Sequence, residues 1–150
     1  MAIGDRVAVI DGGRLRQLWT PEEVYHQPID TFVAGFVGSP SMSFLRGEVA
    51  AREVHLSAGS LPVPPQIRAG PVTVGVRPHD WHVVPTAGMH GVVEACERHG
   101  DHTFATVNLG SDRITMRFDE EQPAVGHTVE IWTRRFHLFG STGRTIAHVG

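Results

Sequence analysis

At 150 residues the chain suits one ordinary domain with a short appendage, and a hydrophobic share of 41% supports a packed core and excludes a disordered polypeptide. A net charge of −3 leaves no basic footprint for nucleic acid, and no apolar run nears the ~18 residues of a membrane span. All thirteen basic residues are Arg, so a GxxxxGK[ST] phosphate-binding loop and lysine Schiff-base chemistry are both excluded, and the single cysteine, Cys96, excludes an internal disulfide and suits a reducing compartment.

Val7 to Ile10 is a continuous apolar run, the pattern of a strand covered on both faces. Asp11-Gly12-Gly13 is a hairpin signal, because glycine enters positive φ without a Cβ clash. Arg14 to Trp19 is the returning strand. Thr20-Pro21-Glu22-Glu23 then predicts a helix start, with Thr20 as cap, Pro21 at the first helical position and Glu23 closing a capping box. Pro28 stops that helix. Asp30 or Thr31 caps a second one, with Phe32, Val33, Phe36 and Val37 on one apolar face. Gly38-Ser39-Pro40 ends it and marks a boundary.

From Ser43 onward short strands alternate with turn residues. Val72, Val74 and Val76 alternate; Ile114, Met116 and Phe118 do so with Thr115 and Arg117; Val129 and Ile131 flank Glu130. Phe104 and Thr106 alternate less cleanly with Ala105 and Val107. Breaks fall at Ala58 to Ser60, Pro62 to Pro71, Ala87-Gly88, Gly100-Asp101, Gly110 to Asp112, Pro123 to Gly126 and Gly140 to Gly143. This spacing predicts a mainly β fold, a small barrel or sandwich, with the Pro-rich piece Leu61 to Pro65 at an edge or in a loop.

Several segments resemble the maltose/glycerol-phosphate branch of ABC import ATPases. Met1 to Arg14 resembles the strand pair after the switch histidine of such ATPases. Thr20 to Tyr25 with Pro28, then Phe32 to Pro40, Met42, Phe44 and Leu45, match the family's exit from its ATPase domain. Val74-Gly75-Val76-Arg77-Pro78-His79 resembles a G-[IV]-R-P-E-H strand and turn, with His79 where an acidic residue is usual. His137-Leu138-Phe139 with Thr142-Gly143-Arg144 resembles the closing hairpin, with Gly140 where Asp is common. The motif positions that carry the resemblance are Phe32, Gly38, Ser39, Pro40, Met42, Gly75, Arg77, Pro78, Leu138, Phe139 and Gly143.

The resemblance implies a division into residues 1–37, the end of an ATPase domain (hairpin and two short helices), 38–43, a linker, and 44–150, an OB-like barrel of the transport-associated (TOBE) kind. It implies a truncated subunit and a non-catalytic regulatory and dimerisation module. The phosphate-binding loop, signature motif and switch histidine are not in this chain. ATP and Mg²⁺ would belong to the parent subunit, and this chain would carry no cofactor. Implied partners are a second copy through the barrel, membrane permease subunits through the parent ATPase domain, and a regulatory protein, but no nucleic acid. The implied location is cytoplasmic, peripheral on the inner face of the cell membrane. Polyamine, iron and sulfate importers have similar modules, so the transported substrate stays open. On this reading Val7 to Ile10 lacks the ATPase core that would cover it, and is expected to pair with another copy, fold back or fray.

Other chemistry fares worse. Leu56 to Ser60 looks like a degraded LSGGQ signature, but a Pro-rich stretch follows where a helix would have to open, so a turn is the better reading. His79 with His82 and His99 with His102 have ligand-like spacing, yet no CxxC or HExxH accompanies them; both pairs fall in predicted turns and read as surface histidines. Ser111, Asp112 and Asp101 with His99 or His102 supply the parts of a hydrolytic triad without a nucleophile elbow. Glu22-Glu23 and Glu120-Glu121 are adjacent, not facing, carboxylates. Trp19, Trp81, Trp132, Phe136 and Phe139 are core or interface, or else an aromatic platform for a sugar or oxyanion. A barrel that senses a small anion, sugar or metal is the alternative function.

Overall fold

A computed structural model describes residues 5–120 and 122–150. Met1 to Gly4, the start of the first family-like segment, and Glu121, one of the adjacent carboxylates, lie outside them. The first strands, β1 (Val7–Asp11) and β2 (Arg14–Trp19), form a separate antiparallel hairpin joined at Gly12-Gly13. Both glycines have positive φ, +54° and +75°, the mirror-image turn that matches the twist of a hairpin. Helix α1 (Pro21–His26) starts with the predicted capping box: Thr20 Oγ1 accepts from the Glu23 N–H, and Glu23 Oε2 accepts from the Thr20 N–H. Helix α2 (Thr31–Phe36) is capped by Asp30, whose Oδ1 accepts from the Val33 N–H at 2.8 Å.

The remaining strands are β3 (Ser43–Ala50), β4 (Glu53–Leu56), β5 (Gly59–Pro62), β6 (Gly70–Val76), β7 (Trp81–Val83), β8 (Met89–His99), β9 (His102–Asn108), β10 (Arg113–Phe118), β11 (Thr128–Thr133), β12 (Phe136–Phe139) and β13 (Thr145–Val149). They make two curled antiparallel sheets. One has the order β10-β9-β8-β11-β7, the other β13-β12-β6-β3-β4-β5. The mainly β, OB-like barrel expected from the alternation is what forms. Leu45, Val49, Val74, Val76 and Leu138 of one sheet meet Val93, Val107, Ile114, Met116 and Ile131 of the other in a single core. Each such side chain contributes roughly 1.5–3 kcal/mol when fully buried. The Pro-rich stretch begins in β5, which is indeed an edge strand, and Ser57-Ala58 is a turn between β4 and β5.

Three expectations are corrected. Val7 to Ile10 is covered on one face only: Val9 packs under Val24 and Val33, whereas Ile10 is 60% exposed, because the two-stranded hairpin has helices on one side and solvent on the other. The helix α2 buries Val33 and Ala34; Phe32 and Phe36 are outside, their rings stacked at 6.0 Å with Phe36 69% exposed. Of the histidine pairs, His79 is in the expected turn, but His82 lies in β7, and His99 and His102 are the paired ends of β8 and β9 around Gly100-Asp101. Of the aromatic set, Trp81, Phe136 and Phe139 are buried, as the core reading has it, and their apolar area is used in packing.

Candidate functional site: the joint between helices and barrel

The strand β6 ends inside the barrel, and the next residue, Arg77, turns its side chain toward the helices. Arg77 is 2% exposed. Its Nη1 donates to the carbonyl oxygen of Ala34 at 3.1 Å and to that of Val37, and its Nη2 donates to the carbonyl oxygen of Tyr25 at 2.9 Å. The guanidinium also lies 4.2 Å from the centre of the Tyr25 ring. One cation thus satisfies C-terminal carbonyls of both short helices, groups that have no partner inside a helix. A buried charge is costly without such partners. Burial lowers the Arg77 pKa from its ordinary value, opposed by Tyr25 and Asp80. Asp80, in a 3₁₀ turn (Pro78–Asp80), is pushed up by burial despite His79 Nε2 at 3.7 Å and Arg135 Nη1 at 4.0 Å.

The family-like positions gather at this joint. Gly75 has no room for a side chain: a Cβ there would sit 2.8 Å from the Phe139 ring and closer still to Met42 Sδ. Met42, Phe139 and Ala34 form a small apolar cluster between barrel and helices. Gly38 lies against the Arg77 guanidinium, and Pro78 is buried beside it. The Gly143 carbonyl accepts from the Thr31 N–H at 2.9 Å, and the Thr145 N–H donates to the Ile29 carbonyl at 2.9 Å. Gly140, where Asp is usual, leaves a turn closed by backbone bonds: Gly140 N–H donates to the Arg144 carbonyl and Gly143 N–H to that of Gly140. Leu138 is deeper, in the barrel core. Ser39 and Pro40 line a cavity of about 550 Å³ with Cys96, Glu97, His99 and Phe104. Phe32 is apart from the rest, under the Arg16 guanidinium at 5.8 Å.

His79 stacks on Tyr25 at 6.0 Å, with Nδ1 3.3 Å from the phenol oxygen. His99 and His102 stack at 6.2 Å; His99 Nε2 lies 3.0 Å from Glu97 Oε1 and His102 Nδ1 2.8 Å from Asp101 Oδ1. Among the described residues no three His, Cys, Asp or Glu side chains are placed to hold one metal ion. Ser111 Oγ and Ser57 Oγ both reach Asp112, at 3.5 and 3.0 Å, while the histidines pair elsewhere, so the parts of a triad are not brought together.

Three participants escaped sequence reasoning: Tyr25, Asp80 and the pair His137–His148. The last two are directly opposite across β12 and β13, with their Nδ1 atoms 2.5 Å apart. Burial, then His148 and Arg77, lowers the His137 pKa to about 3, and burial lowers that of His148 as well. The closing hairpin was expected, but its register counted outward from the turn sets His137 opposite Ala147; a bulge between Leu138 and Phe139 shifts the ladder by one and brings His148 there instead.

Two curled sheets around one core, with Gly75, Arg77 and Pro78 closing a central strand, define a transport-associated β-barrel, and residues 74–139 match the TOBE domain family. Most of the chain's length is similar in sequence to ATP-binding subunits of sugar and glycerol-3-phosphate importers. It is 43% identical over 155 residues to the sn-glycerol-3-phosphate import ATP-binding protein UgpC of Ruegeria pomeroyi, covering 98% of this chain and 44% of that protein. It is 38% identical over 144 residues to the trehalose import ATP-binding protein SugC of Mycobacterium tuberculosis, covering 87% and 35%. With the sulfoquinovosyl glycerol transport ATP-binding protein SmoE of Agrobacterium fabrum the identity is 32% over 163 residues, covering 99% and 45%. The chain therefore spans less than half the length of these relatives. No helix among the described residues is long and apolar enough to cross a membrane.

Proposed function

We propose that the chain is a non-catalytic regulatory and dimerisation module of an ABC sugar-importer ATP-binding subunit. In this reading residues 1–37 end an ATPase domain, 38–43 link it to the barrel, and 44–150 form the regulatory barrel. The barrel meets a second copy, holds two ATPase lobes together while they open and close, and receives a regulator. The permease subunits are reached through the ATPase part, which sets the assembly on the cytoplasmic face of the membrane. The family-like positions at the joint carry the mechanical connection.

The observation that carries this reading is the Arg77 tie, which fastens the carbonyls of Tyr25, Ala34 and Val37 to a barrel strand. A displacement of the barrel is thereby passed to the helices. The residues present do not fit ATP and Mg²⁺, since a chain without Lys has no phosphate-loop ammonium, and no step here runs through the nucleotide. The test is twofold. Steady-state ATP hydrolysis by the 150-residue chain is expected at background, and sedimentation equilibrium is expected to show a concentration-dependent dimer. Turnover above background removes the non-catalytic reading, and a monomer at every concentration up to millimolar removes the dimerisation reading.

A further inference from the structure

Next to the joint, β12 and β13 set two imidazoles face to edge over a polar cavity of about 280 Å³, and none of the reading above uses them. We propose that His137 and His148 form a two-histidine site for a divalent transition-metal ion of the Zn²⁺ class.

The geometry comes from the sheet. His137 and His148 are directly paired residues of an antiparallel ladder, a relation that puts Cβ atoms about 4.5–5.5 Å apart and lets both side chains reach one point. Their Nδ1 atoms meet at 2.5 Å. Two ring nitrogens on one tetrahedral Zn²⁺, each about 2.0–2.1 Å from the metal, lie roughly 3.3 Å apart. The pair therefore has to open by roughly 0.8 Å relative to that spacing. His148 is exposed at the cavity rim and can give that distance, while His137, 5% exposed, stays fixed between β6 and β13.

The chemistry is consistent. A metal needs the lone pairs of neutral imidazole, and burial already holds both rings neutral at pH 7. In the metal-free pair one Nδ1–H faces the other Nδ1. Binding moves that proton to Nε2 of the same ring, so no net proton is released. The cavity has room for water, each taking about 30 Å³, to fill the remaining positions. Other groups lining it are Tyr25, His26, His79, Asp80, Arg77 and Arg135. The two guanidiniums oppose a dication. Asp80, 4.0 Å from Arg135, offsets part of that field. Imidazole ligands favour Zn²⁺, Co²⁺ and Ni²⁺ over Mg²⁺ and Ca²⁺, which prefer oxygen.

Tag-free 150-residue chain is titrated calorimetrically with ZnCl₂ and with MgCl₂, and the imidazole nitrogens are followed by NMR. One saturable Zn²⁺ per chain is expected, with the His137 and His148 Nδ1 resonances moving together and Mg²⁺ inert. His148→Gln loses the saturable site. The double variant His99→Gln/His102→Gln keeps it. Absence of saturation, binding unchanged in His148→Gln, loss in the double variant, or Zn²⁺ shifts confined to other histidines each overturn the proposal. The NMR readout on the unmodified chain decides the matter even if His148→Gln unfolds.

Discussion

The barrel and the segment before it are built on opposite plans. The barrel buries alternate residues of many strands in one core, so each side chain is held by several distant neighbours. The hairpin and helices bury little more than Val9, Val24 and Val33, with Val7 and Val37 at the edge. They keep their place through point attachments: the Arg77 donors, the Thr31 and Thr145 backbone bonds, and the Ala34–Met42–Phe139 cluster. Distributed packing makes a region tolerant of local loss and cooperative in unfolding. Point attachment makes a region that detaches when one group is removed.

The largest effect sharpens the contrast from the barrel side. Leu138→Ala, at the centre of the common core, is expected to cost about 2–5 kcal/mol, with urea denaturation followed by tryptophan fluorescence showing one shifted transition for the whole barrel. Next, Arg77→Met leaves the carbonyls of Tyr25, Ala34 and Val37 without their donor, at about 1–3 kcal/mol for the fully buried Ala34 carbonyl, the other two being within reach of water. Hydrogen exchange should accelerate across residues 20–37 and stay slow in β3, β6 and β8. Uniform acceleration everywhere would show that the two regions are one cooperative unit.

Acid tests the seam at β12–β13. In a chelating buffer His137 has a folded pKa of about 3 against an unfolded value of 6.5. The unfolded chain therefore binds the extra proton. This contribution to stability is complete above pH 6.5 and is lost as pH falls toward 3, with a slope of about 1.4 kcal/mol per pH unit. Denaturant midpoints between pH 6.5 and 4.5 should fall in the unmodified chain and flatten in His137→Gln. The smallest effect is local: Thr20→Ala removes the α1 cap and is expected to cost about 1 kcal/mol, read as faster exchange in residues 21–26 with the barrel midpoint unchanged.

What the sequence discloses follows the same division. The Gly12-Gly13 turn, the Thr20–Glu23 capping box and the Asp30 cap are decided by residues a few positions apart, and were legible. The alternation of Val72, Val74 and Val76 announced a barrel strand, because a two-residue period with one dry face has few other solutions. The Arg77–Tyr25 contact spans 52 residues of chain, and no local pattern encodes it; resemblance marked Arg77, but its partners required coordinates. Phe32 and Phe36 were misjudged because a helix of six residues shows an apolar face without showing which part of it is covered.

Since a single guanidinium holds the ends of α1 and α2 together, neither helix has a release of its own. A protease that meets this polypeptide with Arg77 withdrawn finds the C-terminal turns of both helices loosened together, while the Thr31 and Thr145 bonds still hold the stretch between them to the barrel.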